Sequence, residues 1–125
     1  MADLETFPNP HPGRSYLVES VTHEFTCVCP KTAQPDFGTL RVRYVPDKRC
    51  VELKSLKLYL WGFRDEGHFH EDVTNRILGD LVGACEPTWM EVRGEYRTRG
   101  GIATTVTARH GELPAELDGI ERAPE

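Results

Sequence analysis

No apolar run in this chain approaches the roughly 18 residues needed to cross a bilayer. The opening stretch from Met1 to Ser15 is polar and proline-rich, where a secretory leader would carry an apolar block. A cytoplasmic protein with no membrane contact is the expectation. Basic residues are also scarce, since 15 Lys and Arg against 20 Asp and Glu leave a formal charge of −5. A surface that grips nucleic acid needs a concentrated basic excess, so no direct nucleic-acid partner is expected and an anionic ligand has to be held locally. There is no G-x-G-x-x-G, so a nicotinamide cofactor would not be held in the Rossmann manner. Neither H-x-x-x-H nor C-x-x-C occurs, which removes the common zinc spacings. Cysteine is sparse, at Cys27, Cys29, Cys50 and Cys85, and a cytosolic chain of this size folds without disulfides, so reduced thiols are expected. Repeats, low-complexity tracts and linkers are lacking too. The 125 residues fit a single domain, 1–125, with loosely held tails at about 1–13 and 111–125.

What is present reads as two strand pairs around two helices. Ser15 to Val28 is rich in β-branched and aromatic residues, and Gly38 to Val45 alternates, with Leu40, Val42 and Tyr44 on one face and Arg41 and Arg43 on the other. Pro46-Asp47 marks a turn before a short extended run at Cys50 to Leu53. After Lys54 the spacing of Leu56, Leu60 and Phe63 becomes helical and ends near Gly67. A second helix opens around Phe69 to Glu71, buries Val73, Ile77, Leu81 and Val82, and stops at Glu86-Pro87. Trp89 to Arg97 and Ile102 to Arg109 alternate again around Arg99-Gly100-Gly101. The order ββααββ predicts an α+β fold, a four-stranded antiparallel sheet with two helices on one face. Its open edges predict pairing between copies into a β-barrel, hence a homo-oligomer with ligand sites at subunit borders.

Three clusters carry chemistry. Cys29 sits in a turn with Pro30, Lys31 and Thr32, near solvent and beside a cation, both of which favour the thiolate. Asp36 follows seven positions later. Together they are a nucleophile and an acid or base that moves protons on its adduct, or else a half-buried thiol and a turn aspartate capping its own loop. Cys27-x-Cys29 with His23, His68 and His70 raises zinc as another idea. Glu52 stands beside Lys54 and Lys57, which share a helix face and could grip phosphates, or form an ordinary solvated face. Glu71 opens the second helix beside His70, as a cap or, with Glu52, as an acceptor for the N–H edge of a guanine-like base. Arg99-Gly100-Gly101 is a hairpin turn or a small anion cradle.

Read in order, Cys29-Pro30-Lys31-Thr32-Ala33-Gln34-Pro35-Asp36-Phe37, Val51-Glu52-Leu53-Lys54-Ser55-Leu56-Lys57-Leu58-Tyr59, Gly67-His68-Phe69-His70-Glu71-Asp72 and Arg99-Gly100-Gly101-Ile102 closely resemble the NADPH-dependent 7-cyano-7-deazaguanine reductases, in their short single-module form. The resemblance implies a tunnelling fold and a four-electron reduction of a nitrile to a primary amine with two NADPH, in the pathway to queuosine in transfer RNA. It implies Cys29 as the nucleophile of a thioimide and Asp36 as the proton source. It implies Glu52 and Glu71 on the base of a small 7-deazapurine substrate, with Val51, Leu53 and His70 beside them. Lys54, Lys57 and Arg99 are the candidates for the cofactor phosphates, no metal is implied, and pentameric rings stacked as a decamer are the expected assembly. Cys27 departs from what that family leads one to expect, a thiol two residues before the nucleophile, while Leu53, which the family pattern permits, leaves a base-binding position without a hydroxyl. The rivals are a zinc cyclohydrolase of the same fold and a noncatalytic purine or pterin binder.

Overall fold

A computed structural model of the chain describes residues 3–120. Its elements are β1 (Thr6–Pro8), β2 (Val18–Val28), β3 (Pro35–Val45), β4 (Arg49–Val51), α1 (Leu53–Trp61), α2 (His70–Cys85), β5 (Trp89–Arg99) and β6 (Ile102–Gly111), with 3₁₀ turns at Gly62–Asp65 and Ala115–Leu117. β2, β3, β5 and β6 form one antiparallel sheet in that order. The alternation in β3 explains its two faces. Leu40, Val42 and Tyr44 turn into one core with Met90, Val92 and Tyr96 of β5, and the helices close that core with Leu56, Tyr59, Val73, Ile77 and Leu81. Ile77 and Leu81 are wholly buried, so truncating Ile77 to Ala removes about 2–5 kcal/mol.

α2 stops where Glu86 takes a left-handed conformation ahead of Pro87, as Pro cannot continue a helix. α1 starts at Leu53, two residues earlier than its spacing suggests, because Glu52 caps it, and it ends at Trp61 rather than near Gly67, with Phe63 in the 3₁₀ turn that follows.

The arginine face of β3 is not simply solvated. Arg43 is buried against Glu91, its Nε 3.1 Å from Oε1, and Glu91 also accepts from Arg109 Nε at 2.8 Å. Arg43 donates as well to the Ile120 carbonyl, which brings the C-terminal segment onto this face. Within the stretch 1–13, expected to be loosely held, Thr6–Pro8 instead pairs with β4, and the buried Asn9 ties its end to the β3–β4 turn through the Asp47 carbonyl at 2.8 Å. A three-residue strand pairs through its backbone and has no room for a periodic signal, which is why the pattern passes over it. Of the expected 111–125 tail, residues 121–125 lie outside the described residues.

Candidate active site

The β2–β3 connection builds the thiol's setting. Cys29 N–H donates to the Gln34 carbonyl at 2.9 Å and the Cys29 carbonyl accepts from Ala33 N–H at 2.9 Å, closing the loop over Ala33, whose φ of 60° is left-handed. Non-glycine residues rarely adopt that conformation. The Cys29 thiol is held below its ordinary pKa, first by the Thr32 hydroxyl and then by the backbone N–H groups of Thr32 and Lys31. What Lys31 contributes is thus its backbone N–H rather than the neighbouring ammonium charge anticipated from the sequence. Cys27, two residues back, is fully buried, and burial pushes its thiol up to about 11. The two thiols therefore face different environments, one inert in the core and one open and acidified.

Asp36 is not in the turn. β3 begins at Pro35, and Asp36 pairs across the ladder with Cys27, so its carboxylate is buried at the end of the sheet rather than capping its own loop. Arg99 ion-pairs with Asp36 Oδ1 from the far end of β5, and also bonds Gln34 Oε1 at 2.5 Å and the Pro35 carbonyl at 3.2 Å. On the other side His70 Nε2 approaches Asp36 Oδ2 at 3.4 Å. The His70 ring lies flat on Tyr96, centroids 4.0 Å apart and planes within 4°. Thr74 holds the Tyr96 hydroxyl at 2.6 Å and donates to the His70 carbonyl at 2.7 Å. Burial pushes the Tyr96 phenol up to about 12, so it stays protonated. Tyr96, a buried platform, and Thr74 were not singled out from the sequence. Only the spacing Gly94-x-Tyr96, which puts a glycine on the same strand face as an aromatic, hints at them.

Cys29, Asp36, His70, Glu71 and Arg99 thus line one cleft of about 280 Å³, with Pro30, Thr32, His68 and Phe69 completing the wall. It offers a thiol, a buried carboxylate, a cation, an imidazole and an exposed carboxylate to one small molecule. That is a constellation for adding a nucleophile to a polarised carbon and moving a proton onto the atom beside it.

The second motif lies elsewhere. Glu52 caps α1, its two oxygens accepting from Lys54 N–H and Ser55 N–H at 2.8 Å each. These bonds hold its carboxyl below the usual range, and each oxygen keeps a lone pair for a further donor. Val51, Glu52 and Leu53 line a separate hollow of about 530 Å³ with Val18 and Ser20 at the start of β2. Cys29 follows the other end of that eleven-residue strand, about 30 Å away at ~3.3 Å per residue. Lys57 lines a third groove, along β2, with Trp61 and Arg64. Lys54 is exposed on the same helix, while Arg99 belongs to the thiol cleft.

A family model described as "QueF-like protein" matches residues 35–115. An NADPH-dependent 7-cyano-7-deazaguanine reductase of Anaeromyxobacter dehalogenans (strain 2CP-C) is 68% identical over 113 residues, 90% of this chain and 93% of the relative. One of Thiobacillus denitrificans is 59% identical over 121 residues, 97% of this chain and 84% of the relative. Among solved structures, the apo form of the archaeosine synthase QueF-Like superposes with a TM-score of 0.72 at 23% identity, over 78% of this chain and 96% of that one. At that identity the likeness is one of fold.

Proposed function

The chain belongs to the QueF-like family of NADPH-dependent 7-cyano-7-deazaguanine reductases, and from that premise we propose that Cys29 captures the nitrile of 7-cyano-7-deazaguanine as a covalent thioimide on the way to the primary amine. The observation that carries this reading is the cleft in which the acidified Cys29 thiol and the buried Asp36 carboxylate stand together. Sulfur attacks the nitrile carbon, one C≡N π bond breaks, and the nitrogen takes a proton. Asp36 accepts the thiol proton and returns it to that nitrogen, so the addition balances without an outside acid. The Arg99 ion pair and the facing His70 nitrogen hold the carboxylate in the wall of the cleft that Cys29 also lines, which orients it before substrate arrives. NADPH, when bound, supplies the hydrides, two of which with two protons convert the nitrile to the neutral amine. Expulsion of the Cys29 thiolate after the first reduction leaves an imine, which the cleft has to shield from water.

The α1 groove suits the cofactor. Lys57 and Arg64 supply cations, and the exposed Trp61 ring carries the Arg64 guanidinium 3.8 Å above its centroid, a combination that fits phosphates and a flat base. Lys54 and Lys57 hold phosphate in this reading. Arg99 takes a double role, orienting Asp36 and facing an anionic group at the cleft.

Glu71 stands at the thiol cleft and Glu52 about 30 Å off along β2, so one chain does not bring both to the same base. In the proposed homo-oligomer, Glu52 of a second copy, with Val51 and Leu53, meets the cleft of the first, and β2 and β6, the sheet's outer strands, are the edges that pair. Pentameric rings stacked as a decamer would close such edges. The product feeds queuosine formation in transfer RNA, and the enzyme works in the cytoplasm. No helix among the described residues is long and apolar enough to cross a membrane.

The test is anaerobic mixing of the reduced protein with 7-cyano-7-deazaguanine in the absence of NADPH, followed by intact mass and near-ultraviolet absorbance. A mass gain equal to the nitrile, with a new absorbance band and neither in Cys29→Ala, is expected. A folded, reduced native chain that binds the base but forms no adduct overturns the covalent step and favours the noncatalytic binder.

A further inference from the structure

His68 lines the thiol cleft, yet none of the chemistry above uses it. Its ring is clamped. Nδ1 lies 2.8 Å from Asp72 Oδ2 and Nε2 lies 3.0 Å from Glu66 Oε1, with the side chain 10% exposed. Carboxylates only accept, so both ring nitrogens are called on to donate, and a neutral imidazole would turn a lone pair toward one of them. Edge-on packing against Phe63, centroids 5.6 Å apart, fixes the ring plane.

The backbone of the same segment holds the thiol loop. Val28 N–H donates to the Glu66 carbonyl at 3.0 Å and the Val28 carbonyl accepts from His68 N–H at 3.0 Å, a parallel bridge opposite Gly67 placed one residue before Cys29. Asp72, the third member, sits in the first turn of α2 beside His70 and Glu71. The backbone of Glu66 and His68 therefore ties the thiol strand to this connector, and the ring braces the connector against the start of α2.

We propose that His68 is a positioning residue, whose imidazolium braces the connector that is backbone-bonded to the strand leading into Cys29 against the helix start that presents His70 and Glu71, so that the two halves of the cleft are held most firmly while the ring carries both protons. Its role in turnover rests on the reductase reading above, whereas the clamp itself does not. The groups that face the ring are Glu66 from the connector and Asp72 from α2. Arg76, also on α2, lies 3.8 Å from Glu66, and across the cleft wall stand Cys29, Asp36, His70, Glu71 and Arg99. Burial pushes the imidazole down, but its bonds to Glu66 and Asp72 and their charges outweigh that, and the net shift is upward. The sign follows. The clamp is complete below the ordinary histidine range and is lost as pH rises through the elevated value.

Two measurements on the full-length protein test this. Imidazole ¹⁵N chemical shifts of the native chain from pH 5 to 9 should show both nitrogens of His68 holding their protons to a higher pH than free histidine does, and loss of a proton at or below the free-histidine midpoint overturns the proposal. His68→Gln should lower kcat about 10- to 100-fold, shift KM far less, abolish the alkaline fall in the kcat profile and speed hydrogen exchange at the Val28 amide. A variant that keeps the native profile and the native Val28 protection also overturns it. Should His68→Gln fail to fold, the native titration still decides. If the native chain forms no adduct with the nitrile, the reductase reading fails alone, because the imidazole titration and Val28 exchange report the clamp without any turnover.

Discussion

Gly94→Ala is the substitution that most directly tests how the cleft is supported. Glycine inside a strand is ordinarily a weakness, and Ala should gain about 0.5–1 kcal/mol there. Here the sign reverses. A Cβ at position 94 would lie 2.5 Å from the Tyr96 hydroxyl oxygen and 2.6 Å from Cε2 and Cζ, about 1 Å inside ordinary contact. The ring cannot swing free, since Tyr96 is 4% exposed, Thr74 holds its hydroxyl at 2.6 Å and His70 covers its face. Overpacking of this kind costs about 1–3 kcal/mol, and losing the Thr74 bond about 0.5–1.5 more. Less the backbone gain, the net cost is about 1–4 kcal/mol, or a fall in melting temperature on the order of 10 °C for a chain of this size. The stacked His70 moves with the ring, and a displacement of about 1 Å in the group that faces the proposed proton carrier Asp36 should lower kcat about 100-fold. Thermal unfolding by circular dichroism and NADPH oxidation at saturating nitrile read the two effects. In a Tyr96→Leu background the clash has no partner, so the same Gly94→Ala change should then cost less than about 1 kcal/mol. A single Gly94→Ala variant with native melting and native kcat would refute the idea that Tyr96 lies over Gly94 as the platform for His70.

Asp36→Asn keeps the shape but can neither take nor return a proton, so adduct formation should slow about 10²- to 10⁴-fold, and an adduct rate within a few-fold of native by intact mass would remove Asp36 from the proton path. Because the Cys29 thiol sits below its ordinary pKa, iodoacetamide should modify Cys29 with a midpoint lower than that of a free thiol. Cys27 and Cys85, each pushed up to about 11 by burial, should stay unmodified. Thr32→Val should raise the Cys29 midpoint, since the Thr32 hydroxyl is the foremost cause of the shift, and an unmoved midpoint would reject that cause. Glu91→Gln takes from the buried Arg43 the carboxylate it shares with Arg109, and chemical denaturation should report a loss of about 3 kcal/mol.

What the sequence made legible is what short-range physics fixes. Leu40, Val42 and Tyr44 name their face because a strand repeats every two residues, and Val73, Ile77 and Leu81 name theirs because a helix repeats every 3.6. Cys29 and Asp36 are legible as a pair for a related reason, since the chain that leaves the sheet at Val28 re-enters it at Pro35 directly opposite. Arg99 is a different case, for its bond to Asp36 spans 63 residues, and nothing in a run of alternating side chains says which strand end will lie beside which loop. Tyr96 and Thr74 meet across 22 residues and two elements, with the same result. Glu52 was legible as an acid at a helix opening, and its two bonds to the Lys54 and Ser55 amides account for it as a cap. Those bonds use one lone pair on each oxygen, so the cap and the proposed base contact do not compete, and a helix start that fixes both oxygens gives them the rigidity that recognising an N–H edge requires. The distance along β2 decides the rest. A carboxylate held so firmly about 30 Å from the thiol cleft of its own chain cannot reach it by side-chain rotation, so if Glu52 binds the base at Cys29, it does so in another copy's cleft.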